Sequence, residues 1–342
     1  MAPPTLLQAL RSPLALDAGG SLEVGLAYEL HGEPSGQNTV LLLPPFGRSH
    51  RVAGGRTLAG GSGPDGWWSE VVGPGLALDT DSLAVICVSL PGSPFGSTSP
   101  LSTDPATGRP FGGSFPPLTV ADLARAAAGL CRELGIKRLR SVVGPALGGM
   151  IALELAAQEP ALVGSVVAVC AAGQLSPASR NRLAMARSVI GSDPAWADGA
   201  YPAGLGPVSA VARLWREQLR DAYDPDWLAA RHPDGRKREE FLEAEAQSFA
   251  AGFDAACFVS LSGAAASAEV ELAKIRSRTL LVPCASDSIC APSRVREAYH
   301  QLVAAGVDAH YQELGSGAGH RAWLLDPGAL TGPLRQFLEG EI

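Results

Sequence analysis

The turn around Ala146 has the spacing of a site for nucleophilic chemistry, although alanine carries no reactive atom. Gly144-Pro145-Ala146-Leu147-Gly148 follows a short apolar run and precedes a helix-like pattern. In the pattern G-x-S-x-G, a serine occupies the sharp turn between a strand and a helix, and the glycines allow neighbouring backbone to approach closely. Because alanine cannot attack a carbonyl group, no covalent acyl-enzyme can form at this position.

An acid and a histidine follow in the order that a triad built on such a turn requires. Asp287 comes just after the apolar run Thr279–Ala285, and His320 follows the run that ends at Leu314. Both residues therefore fall at carboxyl ends of predicted strands, where open α/β sheets bind their ligands. We predict that Asp287 orients His320 as a general base, with their heavy atoms about 2.6–3.2 Å apart and the imidazole facing Ala146.

Short apolar runs bounded by turn residues must position these groups. Several runs are continuous rather than alternating, which is typical of strands that are covered on both faces in a parallel sheet. Helical patterns separate them, most clearly at Val120–Leu134 and Met150–Gln158, so the order of elements predicts a doubly wound α/β fold. The predicted strands are Thr39–Leu43, Leu83–Val88, Ser141–Gly144, Ser165–Cys170, Thr279–Ala285 and His310–Leu314.

Residues 174–274 interrupt this alternation. The segment is rich in Ala, Arg and Glu, and it holds several helix-like stretches but no convincing strand. We predict that it forms a helical lid inserted between two strands of the sheet. The chain then divides into a first part of the core at residues 1–173, the lid at residues 174–274, and a second part of the core at residues 275–342.

The charge and composition of the sequence limit the classes of partner that we expect. The formal net charge of −7 disfavours nucleic acid, because binding phosphates needs concentrated Lys and Arg. The sequence has neither a secretory-signal pattern nor an apolar run long enough to span a bilayer, so we expect a cytoplasmic protein without a membrane partner. The cysteines lack CxxC spacing and the histidines do not cluster, so we expect no metal site.

Short motifs occur from about residue 21 to residue 337. They are Gly66-Trp67-Trp68, Val72-Gly73-Pro74-Gly75, Leu78-Asp79-Thr80-Asp81, Phe95-Gly96-Ser97-Thr98, Pro105-Ala106-Thr107-Gly108-Arg109-Pro110, Asp193-Pro194-Ala195-Trp196 and Phe253-Asp254-Ala255. Together they resemble the motifs of homoserine O-acetyltransferases, with Ala146 in the position of the family's nucleophilic serine. The resemblance implies an α/β-hydrolase fold, with a mainly parallel sheet of eight strands, a helical lid and often a homodimer formed through that lid. In the family, an acyl group passes from acetyl-CoA to the serine and then to a substrate hydroxyl.

The resemblance also implies an oxyanion hole. The loop Pro44-Pro45-Phe46-Gly47-Arg48-Ser49-His50 matches the family's loop after its first core strand. One backbone N–H group would come from Phe46 and the other from Leu147, directly after the elbow residue. Such donors stabilise negative charge that develops on an oxygen atom, and they do so without a serine.

Arginines depart from the family pattern around this site. Arg321 stands where the family has an aspartate that holds the ammonium group of homoserine, and Arg220 stands where it has a tyrosine. Arg213 matches the arginine that grips the substrate carboxylate, and Arg48 lies in the oxyanion loop. Arginine repels an ammonium group and attracts an acid, so we predict a small acidic substrate rather than homoserine. For Arg48 and Arg220, a solvated surface position is an equally good interpretation.

The alanine leaves three hypotheses open. If alanine is natural, the site fits a cofactor-free lyase, in which His320 removes a carbon-bound proton and acetate leaves an O-acetylated acid. A tetronate of specialised, antibiotic-type metabolism would suit that chemistry. If a serine has been replaced, the protein is an O-acetyltransferase that takes acetyl-CoA as co-substrate and is not specific for homoserine. The third hypothesis is an inactive homologue that only binds a ligand.

Overall fold

The structure, a computed structural model, describes residues 3–35, 37–54, 66–202 and 204–342. Its strands are β1 (Leu6–Ala9), β2 (Leu14–Ala15), β3 (Ser21–Leu22), β4 (Gly25–His31), β5 (Thr39–Leu42), β6 (Ala84–Val88), β7 (Ser141–Pro145), β8 (Ser165–Val169), β9 (Arg278–Val282) and β10 (Ala309–Tyr311). Eight of them form one sheet in the order β1-β4-β6-β5-β7-β8-β9-β10, and β2 pairs with β3 separately. Only the pairs of β4 with β1 and β6 are antiparallel in the large sheet. This sheet confirms the predicted α/β-hydrolase fold.

The central strands are covered on both faces. Every residue of β5, β6, β7 and β8 is buried. Along β5 the side chains alternate between two hydrophobic clusters: Leu41 belongs to one, and Val40 and Leu42 belong to the other. Because both faces need apolar side chains, these strands are continuous apolar runs in the sequence.

Helices flank the sheet and fill the segment between β8 and β9. The first helix begins at a capping box, in which the Thr119 hydroxyl accepts from the Asp122 amide and the Asp122 carboxylate accepts from the Thr119 amide. The helices are α1 (Val120–Glu133), α2 (Leu147–Gln158), α3 (Pro177–Ala184), α4 (Ala186–Gly191), α5 (Val208–Ala222), α6 (Pro225–Arg231), α7 (Gly235–Gly252), α8 (Ala255–Ala266), α9 (Pro292–Ala304), α10 (Ala322–Leu325) and α11 (Gly328–Glu339).

The helices α3 to α8 form an insertion that leaves and re-enters the core at one place. Gln174 pairs with Glu269 in an isolated β-bridge, and the Val270 amide donates to the Gly173 carbonyl at 2.8 Å. Within the insertion, α5 and α7 pack through a small cluster that includes Leu219 of α5. The bounds of a lid domain at residues 174–274, and a homodimer formed through it, stay predictions.

No single helix in the described parts of the chain is long and apolar enough to cross a membrane. The helices α7 and α8 are long and apolar enough for a membrane span only when they are taken together, and the pair is bent by 104° at the break between the two helices. Most residues of α8 are buried within the protein.

Candidate active site

The elbow between β7 and α2 holds Ala146 in a strained backbone conformation. Its φ is 50° and its ψ is −119°, a region that residues other than glycine rarely adopt. The Ala146 amide donates to the Val169 carbonyl at 2.8 Å, and its carbonyl accepts from the Met150 amide at 3.1 Å. The neighbouring strand and the first turn of α2 therefore maintain the turn even with alanine at its centre.

Close backbone contacts explain the glycines around the elbow. A Cβ atom at Gly144 would lie 2.3 Å from the carbonyl carbon of Gly148, and one at Gly148 would lie 2.0 Å from the Leu43 oxygen. Only glycine tolerates such contacts. The loop after β5 therefore packs directly against the start of α2, which brings Phe46 and Leu147 to the same cavity as Ala146. Leu147 is the first residue of α2, so its amide has no acceptor within the helix.

Asp287 and His320 form a hydrogen-bonded pair beside this elbow. Oδ2 of Asp287 lies 2.8 Å from Nδ1 of His320. The other oxygen, Oδ1, accepts from the Ile289 amide at 2.9 Å and from the Cys290 amide at 2.8 Å. An ionised carboxylate can only accept, so Nδ1 of His320 donates and Nε2 is left as the acceptor of a proton. The pair has the geometry of an oriented base, while its catalytic role stays a prediction.

The residue before the histidine ties the base to the inserted helices. Gly319 has a φ of 69°, and a Cβ atom there would lie 2.5 Å from the carbonyl oxygen of Ala222, the last residue of α5. The Gly319 amide also donates to the Ser286 hydroxyl at 3.0 Å, next to the acid. The position of His320 therefore depends on both the acid loop and the end of α5.

Two small compartments meet between Ala146 and His320, and each has a volume of about 60 Å³. Since a water molecule needs about 10–15 Å³ of such space, each compartment has room for a group of acetyl size. We call the first the α3 compartment, because Leu183 of α3 closes it, and the second the arginine compartment, because Arg48 and Arg321 line it. Both compartments share Phe46, Ala146, Gln218 and His320.

Comparisons with known proteins agree with this geometry. Residues 53–327 match the family model described as the alpha/beta hydrolase fold. The homoserine O-acetyltransferase of Symbiobacterium thermophilum is 35% identical, over 96% of this chain and 92% of that protein. The serine O-succinyltransferase of Litchfieldella anticariensis is 34% identical, over 96% of each. The chain belongs to the homoserine O-acetyltransferase-like family of α/β hydrolases.

Solved structures show the same fold. The homoserine O-acetyltransferase from Bacillus anthracis superimposes with a TM-score of 0.90 at 24% identity, and the match covers 98% of this chain and 97% of that one. Esterase E22 superimposes with a TM-score of 0.87 at 25% identity, and the match covers 98% of this chain and 100% of the esterase. Acyl transfer and ester hydrolysis are thus both represented among proteins that resemble this family member.

Arg48 and Arg321 are the charged arginine side chains that line the arginine compartment among the described residues of this α/β hydrolase. Arg321 is buried, and it pairs with Glu245 and donates to the Tyr223 hydroxyl. Burial, and then the neighbouring Arg321 guanidinium, lower the pKa of Arg48 to about 10, while Glu245 raises it. Arg48 is therefore protonated at neutral pH, and Arg321 pairs with Glu245. Sequence analysis identified neither Glu245 nor Tyr223, because no local pattern connects them to Arg321.

Two predicted substrate residues require correction. Arg213 and Arg220 are exposed on α5, and Arg220 pairs with Glu217 and Glu239. The side of α5 that faces the arginine compartment is the opposite one, so the expectation that these arginines line the site is wrong. For Arg220 the solvated-surface interpretation is correct. The residues of α5 that line the arginine compartment are Trp215, Gln218, Leu219 and Ala222, at the spacing of one helix face.

Two thiols line the α3 compartment, but neither replaces the missing hydroxyl. Burial raises the pKa of Cys170 and of Cys290, so both thiols are protonated at neutral pH. The thiolate is the nucleophilic form of cysteine. Within the described compartments, the group best placed for chemistry is therefore the imidazole of His320.

Proposed function

We propose that this protein is a lyase that eliminates acetate, or a carboxylate of similar size, from an O-acylated acidic molecule. The observation that carries the proposal is an oriented base at an elbow that has no nucleophile. Asp287 orients His320, and the residue opposite the imidazole is Ala146. Chemistry that needs a base and stabilised anionic charge, but no covalent step, is elimination.

The proposed step transfers one proton and releases one anion. Nε2 of His320 takes a proton from the carbon next to an activating carbonyl group, and the electron pair of that C–H bond forms a carbon–carbon double bond. The bond between the next carbon and the acyloxy oxygen breaks, and the carboxylate leaves with the electron pair of that bond. The backbone N–H groups of Phe46 and Leu147 are proposed to stabilise the developing negative charge.

Volume and charge assign the two ends of the substrate. A leaving group of acetyl size fits the α3 compartment, which has no charged side chain within the described residues. An acidic group fits the arginine compartment, because the guanidinium groups of Arg48 and Arg321 line it and no Asp or Glu is among its described lining residues. A monoanion such as a carboxylate or an acidic ring is therefore the proposed substrate class.

An O-acyltransferase is the second candidate, because acyltransferases are 34–35% identical over nearly the whole chain. In that case Ala146 stands in for a catalytic serine, acetyl-CoA is the co-substrate, and the protein with alanine does not turn over. Arg321 and its pairing with Glu245 favour an acceptor other than homoserine. An inactive binding homologue is the remaining outcome.

Mass spectrometry of O-acetylated acids incubated with the protein separates these candidates. Release of acetate together with an alkene, by the protein with Ala146, supports the lyase. Ala146→Ser should then reduce elimination or divert the ester to hydrolysis, since a hydroxyl now lies next to the base. Deuterium at the abstracted position should slow elimination and leave hydrolysis unchanged. Acetyl transfer from acetyl-CoA by the serine variant, with no turnover by the alanine protein, would reject the lyase.

A further inference from the structure

A cavity of about 560 Å³ lies beside the active site and is much larger than either compartment. It is bounded by the loop at residues 112–119, by α3 and α8, and by Trp196, and we call it the Trp196 cavity. Cavities of about 300–1,000 Å³ are the usual size for small-molecule sites. The elimination proposed above does not use this space.

The walls of the Trp196 cavity are mainly apolar and partly rigid. Proline and aromatic side chains line one side, and small residues of α8 line the other, so a flat or extended apolar group has complementary surfaces. The apolar residues that line it are Phe115, Pro116, Pro117, Leu118, Leu183, Ala184, Trp196, Ala256, Val259 and Ala266.

Positive charge in this cavity is not balanced by an acid. Among the described residues that line it, the charged ones are Arg180 and Arg187, and none is Asp or Glu. Neither Arg180 of α3 nor Arg187 of α4 forms an ion pair within the described parts of the chain, whereas Arg182 of α3 pairs with Asp221. Arg180 makes only a long contact, 3.4 Å, to the Ala268 carbonyl. Both guanidinium groups therefore have donors left for an anion.

One side chain lines both this cavity and a compartment of the active site. Leu183, which is half-buried in α3, lines both the Trp196 cavity and the α3 compartment that reaches Ala146 and His320. A molecule in the large cavity would therefore contact a side chain of the α3 compartment, while His320 is not among the residues that line the large cavity. Because Leu183 belongs to α3, an occupant of the Trp196 cavity would contact the same helix that lines the α3 compartment.

We propose that the Trp196 cavity is a second binding site for an anion with an apolar body, whose carboxylate or phosphate pairs with Arg180 and Arg187. The apolar part packs between the proline-rich loop and α8. This site is independent of which reaction His320 catalyses. Carboxylates and phosphate esters share the chemistry that two guanidinium groups recognise, so the probes must distinguish them.

Isothermal titration calorimetry with three probes, each carrying an alkyl chain of about ten carbons, tests whether the ligand must be an anion. Decanoate and decyl phosphate should bind, and decyltrimethylammonium, which has the same chain but the opposite charge, should not. The tighter of the two anions identifies the head group. Equal binding of the cation would overturn the proposal, since the apolar walls alone would then account for affinity.

Two arginine variants locate the anion. Arg187→Ala and Arg180→Ala should each weaken binding of the better anion about 10- to 100-fold, as expected for loss of a charge-assisted hydrogen bond. Arg138→Ala is the matched control, because Arg138 is also exposed and lies on the loop before β7. Arg48→Ala checks the other location: if this variant weakens binding and the Arg180→Ala and Arg187→Ala variants do not, the probe binds in the arginine compartment and the proposal is wrong.

A filling substitution tests the cavity itself. A Cβ atom at Gly263 on α8 would meet no atom within 4 Å, so Gly263→Leu should fold and occupy the space needed by the alkyl chain. Gly332→Leu on α11 is the matched control, because Gly332 is also helical and open. Loss of anion binding in the first variant and retention in the second support the site. Unchanged binding by a folded Gly263→Leu protein overturns the proposal. If the Gly263→Leu protein does not fold, the titration of the Arg187→Ala variant is the deciding test.

Discussion

The two compartments that meet at His320 differ in charge although they have the same volume. The α3 compartment is lined by apolar side chains, two glutamines, two protonated thiols and His320, whereas the arginine compartment is lined by Arg48 and by Arg321, which pairs with Glu245. A substrate with one neutral end and one acidic end can therefore bind in only one orientation. Under the proposed function, the side of the base that Arg48 and Arg321 line determines which substrate class binds.

The largest expected effect follows from removing the group that both compartments share. His320→Ala should reduce elimination by at least 10²- to 10⁴-fold, because a general base contributes about that much. Binding of the acidic substrate should remain, since the arginines are unchanged. Turnover by mass spectrometry and affinity by calorimetry measure the two effects separately. Full activity in this variant would show that another group removes the proton.

Breaking the charge balance of the arginine compartment should be costly for stability. Glu245→Ala leaves Arg321 buried without its ion pair, and we expect a loss of about 3 kcal/mol in the free energy of unfolding. Glu239→Ala on the same helix is the control, because its partner Arg220 is exposed, and we expect at most about 1 kcal/mol. Urea denaturation of both variants provides the measurement. Equal losses would mean that Arg321 is as well solvated as Arg220.

Substitutions on opposite sides of the base should separate the two compartments. Arg48→Ala should weaken binding of the acidic substrate about 10-fold or more, because one of two positive charges is lost. Met150→Leu, in the α3 compartment, keeps the volume nearly constant and should leave that affinity unchanged. Calorimetry with the O-acylated acid, and with the same acid lacking its acyl group, distinguishes the effects of the two substitutions. If both substitutions weaken binding equally, the acidic end is not confined to the arginine compartment.

The smallest expected effect is a change in the affinity for the acidic substrate with pH. Since the pKa of Arg48 is lowered to about 10, this side chain is charged at neutral pH and loses its proton as the pH rises through about 10. Affinity for an anion should therefore be constant from neutral pH to about one unit below that pKa, and should fall above it. Burial raises the pKa of Tyr223, so this neighbouring phenol does not add to the change in that range. Arg48→Ala should remove the pH dependence, and its persistence in that variant would assign it to another group.

The buried half of the sheet was predictable from the sequence, whereas its antiparallel edge was not. Continuous apolar runs predicted β5 to β8 to within a residue or two, because these strands need apolar side chains on both faces. The antiparallel strand β4, next to the edge strand β1, mixes apolar residues with Gly25, Glu29 and His31, so it has neither a continuous run nor a clear alternation. Its partner β1 has only four residues.

The pairing of Asp287 with His320 followed from their order along the chain, but the surroundings of the arginines did not. Alignment to a family gives a position along α5, and it does not say which face of the helix meets the cavity. The spacing of Trp215, Gln218 and Leu219 carries that information. Glu245 lies 76 residues before Arg321, so only the folded chain brings the two together.

The strained turn at Ala146 has an evolutionary consequence. Alanine and serine codons can differ by a single nucleotide, and the glycines that allow the sharp turn are still present around a left-handed residue. One point mutation would therefore place a hydroxyl beside an oriented imidazole. An organism that needs the product of elimination must select against that reversion in every generation, because a restored serine would consume the same ester by hydrolysis.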